Sequence, residues 1–250
     1  MTDVHGNYDC LNQVLARILP LRPSDQIFFL GDSVDRGPDS FQVIEVLIGL
    51  SERFPGQITC LTGNHELMLL AGAGVVQMPM YIPTWLQTGG VNTVRSYCIQ
   101  AGVEDYQSFP LHRLQGIIPA KHISFLLETS RFCETDDYIF VHAGCDPFQP
   151  LEDQSNDILL WDKSLYKFAI NSIINKTTIP WSKTVITGHN YNGPIITSKY
   201  MMLDCSRQGA LACVELNSMQ GYLAYPQRKR MLQFEVKETT SIPQYIIREL

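Results

Sequence analysis

Five short segments gather the residue types that hold metals and move protons. They are Asp3-Val4-His5-Gly6, Gly31-Asp32-Ser33-Val34-Asp35-Arg36-Gly37, Gly63-Asn64-His65-Glu66, His142-Ala143-Gly144 and Gly188-His189, and four of the six histidines lie in them. Asp3 and His5 are two apart, so an extended chain would send both side chains from one face toward a single ion. Asp32 follows a glycine turn and has two oxygens, enough to bridge two ions. Asn64 offers a neutral amide oxygen, and His142 and His189 offer imidazole nitrogens. Mixed oxygen and nitrogen donors suit manganese, iron or zinc better than calcium, which takes oxygen alone. Two divalent ions against only two ligand carboxylates, Asp3 and Asp32, would leave surplus positive charge able to hold a phosphate dianion. Taken singly, each segment is weak; their order along the chain and their placement carry the weight. His65-Glu66 is no H-E-x-x-H zinc motif, because Leu69 stands where the second histidine would be, and the chain has no G-x-x-x-x-G-K-[ST] phosphate loop.

The elements that must present these residues can be read from hydrophobic spacing. Gln26 to Leu30, Ile58 to Leu61, Tyr138 to Val141 and Thr184 to Thr187 are short apolar runs that end in glycine- or asparagine-bearing turns, which predicts core strands. Leu11, Val14, Leu15 and Ile18, then Phe41, Ile44, Leu47 and Leu50, follow helical spacing. Strand alternating with helix predicts an α/β fold, in which ligands gather at the carboxyl ends of strands. Met201 to Leu203, Leu211 to Leu216 and Tyr222 to Tyr225 predict later, more antiparallel strands. The expected architecture is a two-layer β-sandwich core flanked by α-helices, in one domain spanning 1–250, with a carboxy-terminal extension over 226–250 in which Arg228-Lys229-Arg230 forms a solvated turn.

Composition narrows the setting. The chain of 250 residues is 45% hydrophobic and 18% charged, enough to bury a sizeable core, with Gly and Pro near average usage. A net charge of −6 argues against non-specific nucleic-acid binding, which draws on basic side chains. Seven cysteines without a C-x-x-C pair predict reduced thiols, and the first residues lack the basic start and apolar run of a signal peptide, so a cytoplasmic location is expected. No formal charge lies between Glu66 and Arg95, but Gly72, Gly74, Pro79 and Pro83 break that stretch, so it predicts a short helix followed by a partly buried lid or insertion rather than a membrane span.

With these segments in this order, the chain resembles the phosphoprotein phosphatases of the calcineurin-like metallophosphoesterases, especially the compact bacterial and bacteriophage lambda type. Thr88-Gly89-Gly90 with Ser96-Tyr97, and Leu159-Leu160-Trp161-Asp162, are similar to secondary motifs of the bacterial branch. The resemblance implies two divalent metal ions, with manganese favoured over iron or zinc: Asp3, His5 and Asp32 hold one, and Asp32, Asn64, His142 and His189 hold the other. It also implies that Asp35 and His65 form an acid pair and that Arg36 clamps phosphate. The activity implied is hydrolysis of phosphoserine or phosphothreonine in phosphoproteins or phosphopeptides, by a hydroxide activated between two metals. Symmetrical hydrolysis of diadenosine tetraphosphate, and a non-catalytic scaffold that keeps the fold, are the alternatives.

The chain departs from the family pattern in two places. Lys163 follows Trp161-Asp162 where the family has a second phosphate-binding arginine, and lysine binds as a point charge rather than a fork. Only two residues precede Asp3, so the first strand is expected to be truncated, by about five to eight residues on usual strand length. His112, His122 and Cys145 are expected to have no catalytic role.

Overall fold

The computed structural model describes residues 1–228 and 230–240. Lys229 and residues 241–250, which belong to the expected turn and extension, lie outside the described residues. The chain divides into two compact units, Val4–Ser130 and Met1–Asp3 with Arg131–Leu250.

In the first unit, strands β1 (Ile27–Phe29) and β2 (Ile58–Cys60) form a two-stranded parallel sheet in the register Ile27↔Ile58. Both lie inside the expected runs and are shorter than them. Six helices complete the unit: α1 (Tyr8–Ile18), α2 (Ser40–Arg53), α3 (Asn64–Gly72), α4 (Ile82–Trp85), α5 (Val91–Gln100) and α6 (Ala120–Glu128). Of the residues whose spacing predicted α1 and α2, Leu11, Val14, Leu15, Ile44, Leu47 and Leu50 are buried and Ile18 and Phe41 half-buried; α2 also buries Val43. Each such fully buried aliphatic side chain contributes about 1.5–3 kcal/mol. Packing of α2 against α1, α5 and α6 makes it the centre of the unit.

The uncharged stretch after Glu66 is a short helix followed by a partly buried segment, as expected: residues 74–89 are half-buried or exposed except for Trp85. Every residue of α3 is buried, and Trp85 at the end of α4 is completely so, whereas Met80 is exposed. A π-turn at Leu86–Gly90 links α4 to α5. His122, on α6, is buried; Tyr97 lies 2.9 Å from its Nδ1 and Glu45 2.8 Å from its Nε2. That satisfied position fits the structural role expected of it, and His112 sits exposed on a short 3-10 helix.

The second unit contains a five-stranded sheet, ordered β3 (Phe132–Glu134), β4 (Tyr138–Val141), β5 (Thr184–Thr187), β7 (Tyr200–Met202), β6 (Ile195–Ile196). The central pairs β4–β5 and β5–β7 are parallel, and the outer pairs are antiparallel. Because β4 and β5 run side by side in the register Tyr138↔Thr184, the residues after both emerge at the same edge. Helices α7 (Asn156–Trp161) and α8 (Ser164–Asn175) follow β4. A three-stranded antiparallel sheet is built from β8 (Leu211–Glu215), β9 (Gln220–Ala224) and β10 (Leu232–Glu235).

Strand β10 lies within 226–250, the expected carboxy-terminal extension, and pairs with β9 from Leu232↔Leu223 to Glu235↔Gln220. Four of the five motif segments follow a strand, as expected. The first does not: residues 1–4 carry no strand, and the chain is instead held at the next two positions, where the His5 and Gly6 N–H groups donate to the carbonyls of Asp32 and Ser33.

Candidate active site

In the first unit the expected residues converge on the turn after β1. Asp32, Asp35, Asn64 and His65 are all buried, and Arg36 is exposed. Asp32 Oδ1 accepts the backbone N–H of His65 at 3.0 Å, which leaves Oδ2 facing two imidazoles, 3.6 Å from His5 Nε2 and 3.9 Å from His65 Nε2. The two rings meet edge to face with centroids 4.9 Å apart. His5 Nδ1 lies 2.9 Å from the Val34 carbonyl, so the proton sits on Nδ1 and the Nε2 lone pair faces Asp32. Burial holds His5 well below its ordinary pKa despite the Asp32 charge, so the ring is neutral, as a metal ligand must be. Donor atoms of His5, Asp32 and His65 all lie within 4.8 Å of one another, a spacing that fits a divalent ion.

His65 is engaged on its other nitrogen. Its Nδ1 donates to Asp35 Oδ2 at 2.6 Å, while Arg36 Nη2 lies 3.5 Å from Nε2. Burial opposes a charge on this ring, but the Asp32 and Asp35 carboxylates outweigh it and raise its pKa. One ring nitrogen of His65 is thus fixed by Asp35, and the other is turned toward the exposed Arg36.

Glu66, which had no role in the sequence reading, organises this turn. Its carboxylate accepts N–H bonds from Asp32 (2.8 Å), Ser33 (2.7 Å), Val34 (3.3 Å) and Gly63 (2.8 Å). Burial and the nearby Asp32 charge push it up to about 7, and the backbone N–H groups pull the other way. The Gly63 contact caps α3, so the G-N-H-E order is at once a helix start and a clamp on the Asp32 loop. Gly63 is required by close approach: a Cβ there would come within 2.8 Å of Glu66 Oε2 and closer still to Asp32.

In the second unit, Asp3, His142 and His189 come together. The His189 N–H donates to Asp3 Oδ1 and Oδ2 at 3.1 and 3.3 Å, and the His142 and His189 rings lie 5.1 Å apart. The Gly188 N–H donates to the His142 carbonyl at 2.8 Å, tying the turn after β5 to the turn after β4. A side chain at Gly188 would press on Asp3 and Thr2. Trp161 meets the His189 ring edge-on at 6.4 Å. Lys163 is exposed at the start of α8, with its ammonium 5.6 Å from the centre of the Tyr191 ring. Arg207 lies 5.9 Å from the same ring. Asp204 anchors this loop, accepting the Tyr191 N–H at 2.7 Å and the Ser206 N–H at 2.8 Å. Cys145 is buried, and burial pushes its thiol up to about 12, so it is no nucleophile at neutral pH.

Backbone conformation marks the same residues. Among the described residues nine other than glycine have positive φ, and six of them are expected site residues: Asp3 (55°), His5 (47°), Asp32 (53°), Asp35 (71°), Arg36 (62°) and His189 (67°). Such conformations are disfavoured for side-chain-bearing residues and cluster at functional sites.

A sequence profile for the calcineurin-like phosphoesterases matches residues 1–189, and the chain belongs to that family. It is 32% identical over 181 residues to a Schizosaccharomyces pombe protein named as a candidate serine/threonine-protein phosphatase, a match covering 68% of this chain and 51% of that one. Over 75 residues it is 44% identical to a symmetrical bis(5'-nucleosyl)-tetraphosphatase of Nitrosococcus oceani, covering 30% and 26% of the two chains. The chain thus spans about half of the yeast relative and about a quarter of the bacterial one.

Two solved structures share the fold. One is described as a candidate diadenosine tetraphosphatase (TM-score 0.55, 18% identity, 93% and 90% of the two chains). The other is a protein serine/threonine phosphatase from Saccharomyces cerevisiae (TM-score 0.55, 15% identity, 95% and 79%). The fold is therefore the α/β metallophosphoesterase fold, with helices and several β-sheets, as the motif order led us to expect. No helix among the described residues is long and apolar enough to cross a membrane.

Proposed function

We propose that the chain is one metallophosphoesterase domain that hydrolyses phosphoserine and phosphothreonine esters in proteins. The observation that carries the reading is the His65–Asp35 pair, joined at 2.6 Å beside Asp32 and next to the exposed Arg36. The donor set suits two divalent ions, and manganese is the favoured identity. Asp3, His5 and Asp32 would hold one, and Asp32, Asn64, His142 and His189 the other. When bound, such ions activate water and neutralise phosphate charge. Arg36 would grip two phosphate oxygens through its planar fork, and Lys163 would add a weaker point charge. His65 would give its Nε2 proton to the departing serine or threonine oxygen, with Asp35 fixing the ring. A cytoplasmic location accompanies this reading.

The Nitrosococcus match favours a second reading, symmetrical cleavage of diadenosine tetraphosphate. Assaying a phosphoserine peptide and the dinucleotide side by side, with Mn²⁺, separates the two. The phosphatase reading expects release of phosphate from the peptide, and cleavage of the dinucleotide alone would sink it. Absence of any metal-stimulated hydrolysis would leave a non-catalytic scaffold.

A further inference from the structure

The uncharged stretch between Glu66 and Arg95 wraps the Asp35–Arg36 turn. The buried Trp85 Nε1–H donates to Asp35 Oδ2 at 2.8 Å, the same oxygen that accepts His65 Nδ1–H at 2.6 Å. Thr93 Oγ1–H donates to the other oxygen, Oδ1, at 2.5 Å. The Asp35 N–H is also held, by Thr93 Oγ1 at 2.9 Å and Ser40 Oγ at 3.0 Å. At the next residue the Arg36 N–H donates to the Gly89 carbonyl at 3.3 Å, and Asn92 Nδ2 donates to the Arg36 carbonyl. The indole lies in a slot between two glycines: a Cβ at Gly72 would come within 2.5 Å of its Cε3, and one at Gly90 within 2.6 Å of its Nε1. The ring therefore packs directly on both glycines, with no room for a side chain at either.

We infer that Trp85 is a positioning residue for the proton-donating pair, holding the Asp35 carboxylate so that its shared oxygen aims His65 Nε2 at the leaving oxygen. This rests on the reading of His65 as the leaving-group acid. Two N–H donors on Oδ2 and one O–H on Oδ1 fix the plane of the carboxylate; without the indole, the carboxylate could swing about its bond to Cβ and carry the imidazole with it. In the step itself the oxygen of a water-derived hydroxide would bond to phosphorus as the P–O bond to the leaving oxygen breaks; the bonding pair stays on that leaving oxygen, and the His65 Nε2 proton joins it. Trp85 neither gains nor loses a proton.

The test uses the metal-loaded protein and two substrates, a phosphoserine peptide with a poor alkoxide leaving group and p-nitrophenyl phosphate, whose leaving group needs no proton. For Trp85→Phe, the ratio of kcat on the aryl ester to kcat on the peptide should rise about tenfold, the effect of one lost charge-assisted hydrogen bond, with KM little changed. Replacing Trp85 with the isosteric benzothienylalanine, which fills the slot but has no N–H, should do the same and separates the lost donor from lost packing. Equal losses on both substrates in both variants would mean Trp85 is structural only and would overturn the inference.

His65→Asn is the control for the underlying reading. If it leaves the ratio unchanged, His65 is not the acid; if it raises the ratio and the Trp85 variants do not, only the positioning role fails. A readout free of turnover is the indole N–H proton resonance of metal-free protein, assigned by its loss in Trp85→Phe. Asp35→Asn should move it upfield, and an unmoved signal would overturn the contact.

Discussion

Substituting Gly63 by alanine tests how tightly the Asp32 loop is held. Gly63 has φ −99° and ψ 173°, extended values open to any residue, so alanine meets no backbone penalty and the effect must come from contact. The new Cβ would lie 2.8 Å from Glu66 Oε2 and nearer still to Asp32 Oδ1 and N. Ordinary van der Waals contact is about 3.5 Å, so the surrounding atoms must retreat by roughly 0.7 Å or more. The Asp32 backbone cannot retreat freely, because its N–H is bonded to Glu66 and its carbonyl to the His5 N–H. Overpacking of this kind costs about 1–3 kcal/mol, and for a chain of this size each kcal/mol lowers Tm by about 2–4 °C. Metal ligands tolerate shifts of about 0.2 Å, so a displaced Asp32 should also lower Mn²⁺ affinity about 10–100-fold.

Gly49 provides the matched control. It is exposed in α2 with nothing within 4 Å of its Cβ position, and Gly49→Ala should stabilise by about 0.5–1 kcal/mol through helix propensity alone. Thermal melts and calorimetric titration of metal-free protein with Mn²⁺ measure both quantities. A Gly63→Ala chain with unchanged Tm and affinity would refute the reasoning outright; a lower Tm with unchanged affinity would remove Asp32 from the ligand set.

Lys163→Arg should raise kcat/KM on a phosphoserine peptide by roughly 2–10-fold, since a planar fork replaces a point charge, and no gain would take position 163 out of the phosphate grip. Burial lowers the pKa of His122 against the pull of Glu45, so the folded protein keeps this ring neutral where the unfolded chain takes up a proton. Stability should therefore be lost as pH falls below about 6.5, and His122→Gln should flatten that slope in melts of metal-free protein between about pH 5 and 7. The slope that remains belongs in part to His5, which burial also holds low.

What could be read from the sequence was local. The runs Gln26 to Leu30, Ile58 to Leu61, Tyr138 to Val141 and Thr184 to Thr187 each contain a strand, and Asp32, Asn64, His142 and His189 follow them closely. The partners that make Asp35 rigid were not legible, because Trp85 and Thr93 lie 50 and 58 residues away and reach it only through the fold. Glu66 stood in a recognised motif, yet three of the four backbone N–H groups it accepts belong to a turn 32 to 34 residues earlier. Strand β10 escaped because Leu232, Gln233 and Glu235 are exposed and give little apolar alternation. The stretch after Glu66 was legible as a short helix and a partly buried segment, but its lack of charge did not say which residue it covers.

The left-handed backbone at Asp3, His5, Asp32, Asp35, Arg36 and His189 has a consequence for how this fold could change over time. A left-handed residue with a side chain costs about 1–2 kcal/mol relative to a relaxed one, and glycine escapes most of that cost. A descendant that exchanged these side chains for glycine would relieve backbone strain while giving up its donors. Selection for stability alone would then drift toward silent members of the family; on the function proposed above, it is demand for the chemistry that keeps the six side chains in place.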